Sequence, residues 1–183
     1  PGAATSGARS GTSSARFADN LARPKPNLPQ AEDLKASASK PLERSSGVEP
    51  DQVVLAVQEA ITPYEVLLLR REDRLAKALS QIEDIRDNLV PYLKAYDNHY
   101  LRMALEAQNM VFHAEIVLRS ALARKESRIS IREDYPYTDN SQWLKWIVAR
   151  RNGSSIAIDT EPVPVDRYLI KPDKERELHP MWQ

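Results

Sequence analysis

Residues 105–128 read LEAQNMVFHAEIVLRSALARKESR, and two short stretches follow, DYP at 134–136 and WLKW at 143–146. Apolar side chains recur at Leu105, Phe112, Ile116 and Ala123 with helical spacing, which predicts a long amphipathic helix with those residues on its core face. Extended from about Asn98 to Arg124, it would be roughly 40 Å long at 1.5 Å per residue. The helix runs into dense charge at Arg124, Lys125, Glu126 and Arg128, then into an acidic-aromatic turn.

On the N-terminal side lie two further apolar stripes. Val53, Val54, Val57 and Ile61 form one, which Pro63 ends or kinks. Leu68, Leu75, Leu79, Ile82, Ile85 and Leu89 form the other, up to a break at Pro91. The opposite face of that second helix carries Arg71, Glu72, Arg74, Lys77, Glu83 and Asp84. Three stripes with short connections predict a mainly α fold over residues 50–125, an antiparallel three-helix, spectrin-like up-and-down bundle.

On the C-terminal side the period changes. Trp143 to Arg151 is rich in β-formers, Asn152-Gly153 is a strong two-residue turn, and Ile156 and Ile158 alternate after it. Leu144, Trp146 and Val148 would share one strand face, with Trp146 and Ile158 toward the helices. Residues 126–183 are thus expected to form a turn, a small β-hairpin and an irregular tail anchored by Tyr168, Leu169, Ile170, Met181 and Trp182. Residues 24–49, with Pro24, Pro26, Pro29 and Pro41, read as a Pro-rich linker. Residues 1–23 read as a helix of small residues, with Gly7, Gly11 and Ala15 spaced by four.

The 183 residues carry a formal net charge of zero, with acidic and basic residues interleaved, so nothing favours nucleic acid. The absence of Cys excludes disulfides, a thiolate nucleophile and cysteine-ligated iron–sulfur clusters, and fits a reducing compartment. No apolar run approaches the ~18 residues of a membrane span, so direct membrane insertion is not expected. The chain begins Pro1-Gly2-Ala3-Ala4, without Met or the pattern of a signal peptide, which suggests a fragment or a processed product.

Gly2 to Gly7 has the glycine spacing of a phosphate-binding loop, but Ala8 stands where that loop needs Lys, and no strand precedes it. His99 and His113 are too far apart along one helix for a shared metal, and His179 lies in the tail. His113 beside Phe112 and Ile116 reads as a hydrogen-bonded structural histidine. No catalytic, cofactor-binding or metal residue is assigned. Arg124, Lys125, Glu126 and Arg128 admit two readings. Basic residues at a helix C-terminus complement the macrodipole, and a run of charge is commonly solvated. Alternatively this turn is a domain interface, with Arg128 pointing out of the bundle.

The order of these motifs resembles the C-terminal helical region of the fumarate reductase and succinate dehydrogenase flavoprotein family, related to L-aspartate oxidase. That family carries a helix rich in Asn-Met and Ala-Glu-Leu pairs, then Arg-Ser-Ala, Arg-Lys-Glu-Ser-Arg, Asp-Tyr-Pro and Trp-Leu-Lys. Here the matching residues are Asn109-Met110, Arg119-Ser120-Ala121, Arg124 to Arg128, Asp134-Tyr135-Pro136 and Trp143-Leu144-Lys145. One departure is clear. The family usually continues Gly-Ala-His or Gly-x-His, where this chain has Ile129-Ser130-Ile131.

The resemblance implies the non-catalytic C-terminal part of a flavin-dependent oxidoreductase acting on a CH–CH bond of a dicarboxylate. Hydride would move between flavin N5 and the substrate, with an Arg outside this chain as proton donor. FAD is expected in the parent protein and not in this fragment. Residues 1–23 would be the last helix of an upstream FAD-binding domain, touching flavin at most through Gly2 to Ala4. That domain would be the main partner, and a separate iron–sulfur protein of the same complex would be a further one. The location would be cytoplasmic, at the inner face of a membrane through that complex. The competing expectation is an autonomous helical protein-interaction module with no enzymatic parent.

Overall fold

The computed structural model describes residues 2–153, 155–171 and 176–178. His179, Met181 and Trp182, singled out above, lie outside the described residues. The chain divides into two compact units, Pro1–Ser37 and Ala38–Gln183. The first holds α1 (Gly2–Asp19) and most of α2 (Leu28–Ser39). Every described side chain of α1 is exposed. A helix over 28–39 replaces most of the expected linker: Pro29 falls in its first turn, where a missing N–H costs nothing, and Ala31, Leu34, Lys35 and Ala36 favour helix.

The second unit has one apolar core, built from α3 (Pro50–Ile61), α5 (Glu72–Asn88) and α6 (Asn98–Ala123). Pro50 opens α3, and Glu49 and Gln52 form a reciprocal capping box. Asp97 caps α6 by accepting the Tyr100 N–H at 2.9 Å. Gly47 permits the close approach that lets Val48 N–H reach the Tyr92 carbonyl at 2.8 Å, because a side chain there would overlap that oxygen.

α3 buries Val53, Val57 and Ala60, and α5 buries Leu75, Ala78, Ile82 and Ile85. α5 starts later than its apolar stripe suggests. A four-residue helix, α4 (Tyr64–Leu67), and a two-residue strand, β1 (Leu69–Arg70), come first and leave Leu68 exposed.

The long helix turns a different face inward from the one expected. Its buried residues are Ala104, Ala107, Val111, Ala114 and Leu118, with Glu115, whereas Phe112 is 51% exposed and Leu105, Ile116 and Ala123 are only half-buried. Small residues on the inward face let three helices approach closely. Glu115 is buried beside them because Arg86 of α5 donates to both its oxygens at 2.9 Å and Arg119 donates at 2.8 Å.

Beyond α6 come β2 (Ile131–Arg132), β3 (Tyr137–Asp139) and the single helical turn α7 (Asn140–Trp143). The hairpin of β4 (Lys145–Asn152) and β5 (Ser155–Pro162) follows, and β6 (Arg176–Leu178) pairs antiparallel with β3. The hairpin turns one residue later than expected. Asn152 pairs with Ser155 as the last strand residue, and the positive φ of 61° belongs to Gly153. Its helix-facing side is the other one for β4 and the expected one for β5, since Ile158 pairs with Ala149 and shares its face. Ala149 and Ile156 line a cleft with Phe112 and Ile116, while Trp146 is 48% exposed on the alternate face.

Candidate functional site

The charge run at the end of α6 folds into a compact polar knot. Glu126 sits at its centre, essentially inaccessible to water. Arg124 donates to one carboxylate oxygen, Arg128 donates through Nε at 2.8 Å and Nη2 at 3.1 Å, and the Asp139 N–H donates at 3.0 Å. Such a charge is tolerable only with this many donors, since an unpaired buried carboxylate costs several kcal/mol.

Ser127, also fully buried, accepts the Arg132 N–H at 2.8 Å and donates to the Tyr135 carbonyl at 2.8 Å. Its own N–H reaches the Tyr137 carbonyl at 2.9 Å, so one serine ties the DYP turn back onto the helix end.

The helix carbonyls are satisfied by a residue outside the charge run. Arg132, buried, donates to the Ala121 and Arg124 carbonyls at 2.6 and 3.0 Å. Its other edge donates to both oxygens of Asp134 at 2.8 and 2.7 Å, a planar bidentate pair. Asp134 in turn accepts the Glu72 N–H at 3.0 Å, capping α5 from 62 residues away. Burial raises the Asp134 pKa, but the hydrogen bonds and charge of Arg132 outweigh it and hold the carboxyl below its ordinary value. β2 pairs parallel with β1, Leu69 opposite Ile131 and Arg70 opposite Arg132, and Arg74 bridges Glu133 at 2.9 Å. The turn therefore latches the end of α6 to the start of α5.

The four residues of the expected interface have distinct places. Arg124 reaches past Glu126 to the Lys145 carbonyl at 2.8 Å and lies over the Trp143 ring, tying the hairpin to the knot. Lys125 is exposed, its ammonium 5.8 Å from the Tyr135 ring centre. Glu126 is the buried hub. Arg128 does not project freely out of the bundle: its guanidinium folds back onto Glu126 and onto Asn140 Oδ1 at 2.7 Å, because the buried carboxylate needs it there. Ser127, Arg132, Asp134 and Asp139 complete the knot; Ser127 and Asp134 fall within the motifs quoted above, whereas Arg132 and Asp139 do not stand out in the sequence. His113 is exposed at the rim of an apolar cleft rather than held in the core.

Ile129 crowns the turn, 96% exposed, with φ of 62°. Ser130 N–H donates to the Arg128 carbonyl at 2.6 Å, so three residues close a γ-turn of the strained, positive-φ kind. Holding a β-branched residue there costs roughly 1–3 kcal/mol. It stands where the resemblance places a glycine and keeps a glycine's backbone.

Two clefts open beside this turn. One, about 300 Å³, is lined mainly by apolar residues of α3, α4 and α6, including Val57, Ile61, Leu67 and Val117. The other, about 440 Å³, includes Arg124, Arg128, Ile129 and Ile147. Both share Arg70, Val117 and Ala121. Among the described residues, no three His, Asp or Glu are placed to hold a metal, and no helix is long and apolar enough to cross a membrane.

What this arrangement does is fasten helices, turn and hairpin into one helical packing region. Residues 57–177 match the family described as fumarate reductase flavoprotein C-term, and the chain belongs to that family. It is 34% identical over 117 residues to a component of the fumarate reductase (CoM/CoB) of Methanothermobacter marburgensis, covering 61% of this chain and 21% of that protein. It is 40% identical over 86 residues to an uncharacterized FAD-dependent oxidoreductase of Methanocaldococcus jannaschii, covering 46% and 16%. The fold is similar to a chain of the Mycobacterium smegmatis Sdh1 complex in the apo form, with a TM-score of 0.73 and 23% identity over 82% of this chain and 27% of that one. The chain spans about a fifth of the length of the curated relatives it matches. Membership of this flavoprotein family sets aside the autonomous helical module.

Proposed function

We propose that this chain serves as the non-catalytic packing part of a flavin-dependent oxidoreductase of the fumarate reductase and succinate dehydrogenase type, seated on the FAD-binding part of the same protein. The observation that carries this reading is the family match over residues 57–177, at about a fifth of the length of its relatives. What the residues here supply is rigidity: Glu126, Ser127 and Arg132 fix the turn against two helix ends. In this reading FAD is held elsewhere in the protein, where it supplies two-electron chemistry when bound.

In this reading α1 is the last helix of the FAD-binding part, residues 24–49 connect it to the helices, and residues 126–183 hold the turn and hairpin. The partners are that FAD-binding part and a separate iron–sulfur protein of the same complex. The location is cytoplasmic, at the inner face of a membrane through that complex. The test is to purify the whole protein with and without residues 50–183, then record the flavin absorbance spectrum and dye-linked reduction of fumarate. Loss of flavin or activity on truncation supports the proposal. A truncated protein that keeps its flavin, activity and melting temperature overturns it.

A further inference from the structure

Three observations around the turn remain unspent by the latch. The first is Arg70. Arg74, Arg124, Arg128 and Arg132 each pair with a carboxylate, yet among the described residues no carboxylate lies within ion-pair distance of Arg70. Its Nε donates to the Leu67 carbonyl at 3.2 Å, and the residue lines both clefts. Burial and the nearby Arg132 charge lower its pKa, so its cation is held at a cost that no carboxylate among the described residues offsets.

The second is the apolar cleft beside it, whose rim leaves Leu67 49% and Val117 55% exposed. The third is Ile129, held in a strained turn with its side chain almost wholly in water. Strain of that kind persists where a contact uses it.

We infer that the clefts meeting at Arg70 form one docking surface, with Ile129 as its anchor, for a stretch of the protein's own flavin-binding part that presents a carboxylate beside an apolar pocket. The inference rests on the reading above and names the contact through which it acts. Charge complementarity selects the occupant. A second copy meeting this face symmetrically would bring two such Arg70 cations into one interface with no carboxylate for either, whereas a carboxylate can take the free edge of the guanidinium. Four-fifths of the length of the matched relative lies outside this chain, so a contact within one polypeptide enjoys a high effective concentration. A small patch then suffices.

The test uses the whole protein with Ile129→p-benzoylphenylalanine, irradiated and mapped by mass spectrometry, after its absorbance spectrum has been recorded. The expected crosslink joins position 129 to the flavin-binding part, and Arg70→Glu lowers its yield at least tenfold while Arg70→Lys keeps most of it. Ile129→Gly should raise the melting temperature of the isolated chain by relieving the turn, yet speed flavin release from the whole protein about tenfold. Crosslinks confined to residues of this chain, or to a second copy with dimers in sedimentation that Arg70→Glu dissolves, overturn the docking surface and leave the proposed function standing. A whole protein without flavin overturns both. Should Arg70→Glu fail to fold, the wild-type crosslink map and Arg70→Gln decide the matter in the same way.

Discussion

Glu126 has two guanidinium groups and a backbone amide directed at a carboxylate with no water of its own. Glu126→Ala removes the charge and leaves Arg124 and Arg128 facing each other, so urea denaturation should show a loss of roughly 3–5 kcal/mol. Arg128→Ala takes away one of the two cations from a partly exposed position, and about 1–2 kcal/mol is expected in the same measurement. A change within a few tenths would mean that Arg124 alone neutralises the hub. Asp134 adds a pH signature. Its folded pKa lies below the unfolded value, so its contribution is fully present above about pH 4 and is lost as pH falls through the lower folded value. Asp134→Asn should lower stability at neutral pH and flatten the acid limb of the stability profile, followed by chemical denaturation from pH 6 downward. The charge run itself was legible at this scale, and Glu126 and Arg128 do prove central to the turn. Their partners were not legible, because Asp139 and Asn140 approach only after the chain doubles back, and no linear spacing encodes that return.

α6 carries two apolar faces, and the sequence reading weighed them by side-chain size. Leu105, Phe112 and Ile116 outweigh Ala104, Ala107 and Ala114 on any hydrophobicity scale, yet the alanine-rich face is the one that the other helices can approach. The larger residues are not idle, since Phe112 and Ile116 line the cleft under the hairpin. Leu118→Ala should therefore cost about 2–5 kcal/mol and Phe112→Ala less than about 1 kcal/mol in thermal or urea unfolding. Equal losses would restore the face expected from sequence. The hairpin was legible in kind and misplaced by one residue, because Asn tolerates both the turn and the end of a strand, whereas of Asn152 and Gly153 it is Gly153 that has the positive φ. Gly153→Val should destabilise by about 1–3 kcal/mol, read by the same melts. The expected start at residue 50 and the expected span from about Asn98 to Arg124 fit α3 and α6; the start of α5 was not legible, because Leu68 continues the apolar spacing across a break made by tertiary pairing of Leu69 and Arg70.

The second unit holds together as one core with a latch at one end, and the latch is built of non-local contacts. The strand pair and the Asp134 cap join positions 62 residues apart, with α5 and α6 lying between them. Closing so long a loop is entropically costly until those helices have already paired. The helices should thus associate first and the turn lock last. In stopped-flow experiments, Arg132→Ala or Asp134→Asn should then quicken unfolding many-fold and leave refolding nearly unchanged, the mark of contacts absent from the transition state. A latch of this order works as a clock on the folded state: it decides how long the assembled helices persist, not how soon they form.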